Sequence, residues 1–348
     1  MNIFDVITAK EIATYWTEKG SEKLEFLGDA LFPAKKQAGL DLSWIKGYSG
    51  LPVMLKPSSF DADVPFRDRI GFGKISTEMP FFREGFLIKE KDRQELIKLM
   101  ASGNQNLIDM YVQHIFDDAG TLLKSAQVAR ERMRMQLLGS GTVLITANNE
   151  KLDYDYQLPD NRKKTLTGTN KWSDLDDSDP IKDIREAQEL VEGETGVKPT
   201  RAVCTSKTFS YLLKNEKIKT DLNMKKEYVK ESTVREYISD MLDGFKIATY
   251  NKMYNDGSSS TKYFPDDVFT LLPEGNLGNT YFGTTPEEAD LLGKTTNNLD
   301  VSVVDTGVAV TTERVMSVPT NVKTIVSQVT LPSFEAIDNI YILTVHTA

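Results

Sequence analysis

Cysteine and histidine are nearly missing from this 348-residue chain, which carries one thiol, Cys204, and two imidazoles, His114 and His346. A single thiol forms no internal disulfide, and these three residues fall short of a structural zinc site with the usual Cys and His spacing. Histidine-dependent catalysis is equally poorly supplied. Long apolar runs are missing too. None reaches the roughly 18 residues needed to span a bilayer, and the opening MNIFDVITAKEIATYW lacks the basic start and apolar core of a signal peptide. These absences predict synthesis and folding in a reducing cytosol, away from membranes. A surplus of positive charge is also lacking: 51 acidic residues against 42 basic ones leave a net charge of −9. That balance argues against an intimate nucleic-acid groove. What remains, 40% hydrophobic and 27% charged, is the composition of an ordinary globular protein with about two domains and a sizeable core.

Thr8 followed by Glu11 fits a capping box, and Ile12, Tyr15 and Trp16 then predict a short amphipathic helix. From Gly20 to Asp41 the pattern is irregular, with Leu31, Phe32 and Pro33 as an apolar anchor between polar stretches, which reads as an arm laid over another surface. Residues 46 to 85 are punctuated by Gly and Pro, with strand spacing around Val53, Leu55 and Ile70. They read as an extended hairpin or loop, and long loops of this kind are usually functional. The strongest helical signal runs from Asn104 to Leu138. Ile108, Tyr111, Val112, Ile115, Ala119, Leu122, Ala126, Ala129, Met133 and Leu137 fall on one stripe. Arg130, Arg132 and Arg134 read as its charged flank, His114 as a packed or solvated helix residue, and Gly139 with Gly141 as the stop.

Thr142 to Thr146 and Leu152 to Leu158 predict two strands turning at Asn148 and Asn149. Asp153 and Asp155 share one face of the second, an arrangement that invites a glycosidase or metal reading but is ordinary polar alternation on an exposed strand. Asp174, Asp176, Asp177 and Asp179 resemble a calcium loop, yet position twelve from Asp174 is Arg185 where a bidentate Glu is needed. A helix start is the better account: Asp179 caps, Pro180 opens the helix, Ile181, Ile184, Ala187, Leu190 and Val191 form its buried face, and Gly193 and Gly196 end it. A strand at Ala202 to Cys204 makes Cys204 a small buried apolar residue, and helices follow through Phe209 and from Thr233 to Met241. Ile247 to Tyr254 and Phe264 to Leu272 read as partner strands around an Asn255-Asp256-Gly257 tip. Gly275, Gly278 and Gly283 are not followed by the Lys-Ser or Lys-Thr of a phosphate loop. Val301 to Val310, Val322 to Val329 and Ile340 to Val345 complete the sheet strands, the last of them buried on both faces.

Several segments together resemble a known family. Trp172-Ser173, Asp179-Pro180-Ile181, the run from Gly196 to Val203, Phe264-Pro265-Asp266-Asp267-Val268, Gly278-Asn279-Thr280 and Leu331-Pro332-Ser333-Phe334 resemble the lambda-type major capsid proteins of tailed bacteriophages, as do residues 85 to 141 with their Leu137-Leu138-Gly139-Ser140-Gly141 exit. Order and spacing carry the likeness, since the family has no catalytic signature. It implies an α+β, Hong Kong 97-like capsid fold: an N-terminal arm at 1–45, an extended loop at 46–85, a peripheral domain with a spine helix and long sheet at 86–171 and 299–348, and an axial α/β domain at 172–298. The implied function is the major head protein of a virion, assembled in the host cytoplasm from hexamers and pentamers into an icosahedral shell. That shell encloses double-stranded DNA without sequence-specific binding. Implied partners are a separate scaffolding protein, a portal protein and a decoration protein, with no membrane, cofactor, metal or catalytic residue. Candidate assembly contacts are Lys56, Asp61, Asp63, Arg67, Asp68, Arg69 and Lys74 of the loop, and Phe32 and Pro33 of the arm; the default reading of Asp61, Asp63, Arg67, Asp68 and Arg69 is a solvated charged face. Lys56 or Lys74 with Asn339 also supplies the residue types of a covalent crosslink, which lambda-like relatives do without. Competing readings are an encapsulin-like bacterial nanocompartment, a hydrolase built on Asp153 and Asp155, and a phage tail or connector protein.

Overall fold

The computed structural model describes residues 7–19, 24–45, 74–147, 150–223, 229–293, 299–315 and 321–347. The chain divides into two compact units, one of Met1–Leu42, Ser76–Arg132 and Asn279–Ser333, the other of Ser43–Ile75, Met133–Gly278 and Phe334–Ala348.

The first unit begins with helix α1 (Ala9–Glu18), whose N-cap Thr8 accepts the Glu11 amide, one of the two bonds of a capping box. The irregular stretch after it holds a short helix, α2 (Leu27–Leu31), and strand β1 (Ala34–Lys36). Strands β2 (Asp41–Ile45) and β3 (Lys74–Glu78) pair as a two-stranded ladder. The strand spacing at Val53, Leu55 and Ile70 lies outside the described residues. Strand β4 (Phe81–Ile88) and helix α3 (Glu90–Ala101) lead into helix α4 (Gln105–Ser140), and the first helix of this pair went unread in the sequence.

Helix α4 follows the apolar stripe, with Ile108, Ile115, Ala119, Ala126, Met133 and Leu137 buried and His114 exposed. It runs through Gly139 and ends at Gly141, whose φ of +78° is the left-handed conformation that closes helices. Its residues up to Arg132 belong to the first unit. There Ile115, Ala119, Leu123 and Ala126 pack with Ile12 and Trp16 of α1 and with sheet residues Val310, Val322 and Val326.

That sheet is centred on β16 (Asn321–Pro332). Residues 321–328 of β16 pair with β15 (Val308–Val315) and 330–332 with β13 (Thr280–Phe282) on one side, while 322–329 pair with β4 on the other. Gly85 in β4 is obligatory here, because a Cβ would sit 2.7 Å from the Thr324 carbonyl oxygen. Strand β14 (Leu299–Val304) completes the order β1-β13-β16-β15-β14. The single strand expected at Val301 to Val310 is therefore two: the chain turns at Asp305 (φ +50°) and Gly307, so that Val304 faces Val308. A side chain at Gly307 would meet Phe282 Cβ at 2.8 Å, so only glycine lets the turn close there.

In the second unit β5 (Thr142–Ala147) and β6 (Glu150–Asp155) form the expected hairpin, its Asn turn lying outside the described residues. The second strand stops at Asp155 because Gln157 turns out with φ +56°. Helix α5 (Pro180–Thr195) starts as read, with Asp179 accepting the Lys182 amide at 3.1 Å; it passes through Gly193 and ends at Gly196 (φ +74°). Strand β7 (Lys163–Thr165), β8 (Arg201–Cys204), β9 (Lys246–Thr249), β12 (Val268–Leu272) and β17 (Tyr341–Thr344) form a five-stranded sheet in the order β7-β17-β12-β8-β9. Helices α6 (Ser206–Lys214), α7 (Glu216–Asp221) and α8 (Glu231–Met241) accompany it.

The long hairpin expected between 247 and 272 does not form. Its tip does, as β10 (Met253–Asn255) against β11 (Ser260–Lys262), but β9 runs parallel to β8, and β12 is antiparallel to both β8 and β17. Asp267, with φ +63°, redirects the chain after Pro265 and separates the tip from β12. The core under this sheet holds Trp172, Ile184, Val191, Phe209, Phe269 and Leu343, with Trp172 edge-on to Phe269 at 5.1 Å. Burying such side chains contributes about 1.5–3 kcal/mol each.

Candidate assembly surface

Lys56, Asp61, Asp63, Arg67, Asp68 and Arg69 lie outside the described residues, and Lys74 opens β3. On either side of the undescribed residues, β2 pairs with β3 and the Met79 amide donates to the Leu40 carbonyl at 2.9 Å. Phe32 is fully buried in its own chain, and its carbonyl accepts the Thr280 hydroxyl at 2.9 Å. Pro33 is half-buried, its carbonyl accepting the Thr280 amide at 2.9 Å. The apolar anchor read at Leu31 to Pro33 is thus seated on the first unit's own strand β13.

Helix α1 is tied down by carboxylates as well as by Ile12 and Trp16. The Ala9 amide, one of the free donors of the first turn, donates to Asp300 Oδ2 at 2.8 Å. The Trp16 indole donates to Asp305 at 3.4 Å. Asp117 on α4 accepts from both the Tyr15 hydroxyl and Lys19 Nζ, the latter at 3.0 Å, while the Tyr15 ring stacks on Phe116. The Tyr15 hydrogen bond, helped by Lys19, holds the Asp117 carboxyl below its ordinary range.

Arg130 and Arg134, expected on a charged flank, are buried in α4. Arg130 Nη1 donates to Gln328 Oε1 at 2.7 Å, the guanidinium lies 5.2 Å from the centre of the Phe282 ring, and Gln328 returns a bond to the Ala126 carbonyl at 3.0 Å. A buried cation is tolerable only when hydrogen-bonded in this way. The signal was present in the spacing: Arg130 stands four residues after Ala126, in phase with the buried stripe.

Asp153 and Asp155 are exposed opposite Leu144 and Thr142, and Asp155 accepts the Gln157 amide at 2.8 Å to shape its own turn. Cys204 is fully buried, and burial pushes its thiol up to about 12. Ser173 Oγ meets His346 Nδ1 at 2.8 Å. Beside it the Trp172 amide donates to the Val345 carbonyl at 3.0 Å and Lys171 Nζ to the Thr347 carbonyl at 2.7 Å, so the contact is one of several that tie down the exit of β17.

At the start of α6, the N-cap Thr205 hydroxyl donates to Asp266 at 2.6 Å. Asp267 accepts from Lys207 at 2.6 Å and from the Tyr211 hydroxyl at 2.9 Å. A surface groove of about 480 Å³ between α5, α7 and α8 interleaves both charge signs, with Lys217 on Asp179 at 3.6 Å and Tyr237 on Asp221. Among the described residues no His, Cys, Asp and Glu group could hold a metal ion, and no helix is long and apolar enough to cross a membrane.

Comparison with known proteins bears directly on these surfaces. The family model for phage major capsid protein E matches residues 8–345. No curated protein matches the sequence. Among solved structures, a phage-related protein from Bordetella bronchiseptica RB50 is similar over 98% of this chain and 99% of its own, with a TM-score of 0.57 and 13% identity. The capsid asymmetric unit of cyanophage A-1(L) is similar over 91% of both chains, with a TM-score of 0.51 and 12% identity. At such identities the likeness speaks for the fold alone, which is of the Hong Kong 97 type found in phage capsids. Since the family match runs through both compact units and every element that builds them, the chain belongs to the phage major capsid protein E family, the proteins that form the virion shell.

Proposed function

We propose that this chain is the major head protein of a tailed phage. It assembles through hexamers and pentamers into a closed icosahedral shell around double-stranded DNA and performs no catalysis of its own. The observation that carries the reading is the family match from residue 8 to residue 345. It favours a phage head over the encapsulin-like compartment, and over the hydrolase and tail-protein readings. Within the shell, residues 1–45 serve as the arm, 46–85 as the loop that reaches a neighbour, 86–171 with 299–348 as the peripheral domain, and 172–298 as the axial domain. Scaffolding, portal and decoration proteins are separate partners in this reading.

The loop charges Lys56, Asp61, Asp63, Arg67, Asp68, Arg69 and Lys74 pair across subunits, where many weak contacts sum to a stable closed assembly. A net charge of −9 suits a wall that encloses DNA without gripping it, since like charge opposes adhesion. The test is deletion of residues 55–75, with the scaffolding protein supplied. A folded chain that makes no shells under the electron microscope is expected, and normal particles would refute the loop's role. Rings or tubes from the intact chain, in place of closed particles, would refute the head reading itself.

A further inference from the structure

Strand β9 is the end of the five-stranded sheet, and among the described residues one of its edges faces no other strand. In its parallel ladder with β8, the Lys246 amide donates to Thr200 O at 3.0 Å and the Tyr250 amide to Cys204 O at 2.8 Å. Even-numbered residues therefore turn their amides towards β8, which leaves the backbone groups of Ile247 and Thr249 pointing outward. An open row of this kind is a template for pairing with another chain. Arg235 of α8 occupies it: Nη1 donates to the Ile247 carbonyl and Nη2 to Thr249 Oγ1 at 3.3 Å. The guanidinium is itself fixed from two sides, by the Phe209 ring at 4.4 Å and by Glu231, which accepts from Nε at 3.1 Å. At the opposite end of the sheet, β7 is only three residues long and exposes Lys163 and Lys164.

We propose that Arg235 is an edge cap that keeps β9 closed to strand pairing with a second copy of this chain. The second copy is the relevant competitor because shell proteins meet at high local concentration and every copy carries the same edge. Pairing of β9 with β9 is self-complementary and would trap copies as dimers outside the shell. Arginine suits the position because its planar fork can meet a carbonyl and a hydroxyl together while its face rests on an aromatic ring.

The experiment compares the full-length chain with Arg235→Leu, which keeps bulk over Phe209 but removes every donor. Arg235→Lys restores one donor, and Glu231→Gln leaves the guanidinium in place. Sedimentation velocity across a concentration series is the readout, with a melting curve for each variant. The expected result is a concentration-dependent dimer in Arg235→Leu, with slowed amide exchange at Ile247 and Thr249, less dimer in Arg235→Lys, and wild-type behaviour in Glu231→Gln. Arg235→Leu that melts and sediments like the wild type would overturn the proposal, as would equal dimer in Glu231→Gln. Failure of Arg235→Leu to fold would also overturn it, by showing that Arg235 holds the fold and not the edge.

Discussion

Replacing Asp267 separates two effects that the structure sets against each other. Its backbone sits at φ +63°, its carboxylate accepts from Lys207 and Tyr211, its amide donates to Thr208 Oγ1 at 2.9 Å, and its carbonyl accepts the Val345 amide at 2.8 Å. One residue thereby joins α6, β12 and the exit of β17. The left-handed conformation costs a residue with a Cβ roughly 1–2 kcal/mol, less for Asp than for Ala, so Gly recovers about 1 kcal/mol. Against that stands the Tyr211 bond to an ionised acceptor, worth about 1.5–3 kcal/mol. The Lys207 pair adds only about 0.2–1 kcal/mol because the lysine is 49% exposed.

Asp267→Gly should therefore destabilise by about 1–3 kcal/mol. Asp267→Ala, which loses the same bonds and keeps the strained backbone, should cost about 2–5 kcal/mol. Asp267→Asn, which keeps an acceptor for Tyr211 and tolerates the conformation, should cost about 0.5–1.5 kcal/mol. Urea midpoints at constant slope, followed by tryptophan fluorescence, give the order Ala, Gly, Asn from worst to mildest. A glycine variant as stable as the wild type would show that the carboxylate contacts contribute nothing, and an alanine variant no worse than glycine would remove the backbone half of the reasoning.

Three further outcomes are expected. Ala119→Pro, in the buried interior of α4, should cost about 3 kcal/mol or more and lower both the helical circular dichroism and the melting temperature. Asp256 accepts amides of Ser259 and Ser258, which hold its carboxyl down at about 2 from 3.8. A depressed carboxylate stabilises above its unfolded value and ceases to as pH falls through its folded one, so amide protection at Ser258 and Ser259 should persist at pH 4 and disappear towards pH 2, and Asp256→Asn should flatten that profile. Cys204, with its thiol raised to about 12, should resist a thiol reagent at neutral pH in the folded chain and react fully in denaturant.

Rules that act within one turn or one strand were legible from the residues alone. Thr8 and Asp179 cap the helices they precede, the apolar stripe predicts α4 nearly to the residue, and Cys204 is the small buried residue its strand implies. Choice of strand partner was not legible, because it depends on residues far apart. Nothing local to Lys246–Thr249 favours a parallel neighbour at Arg201–Cys204 over an antiparallel one beyond the Asn255 turn. Arg130 was misplaced for the same reason: its burial depends on Gln328 arriving from the other end of the chain. The assembly candidates fared differently again. Phe32 signals burial by its type, but only the fold reveals that the surface it meets is its own.

The positions of β16 and β17 carry a consequence for how such a chain is made. Each lies inside its sheet, β16 between β4 on one side and β15 and β13 on the other, and β17 between β7 and β12, and each is synthesised after the strands it pairs with. A nascent chain halted anywhere before residue 321 owns neither, so both sheets are left split and their apolar faces bare. Interrupted translation thus yields no subunit that could be built in at reduced strength. The topology acts as a length check, admitting to the wall only chains that were read past both strands.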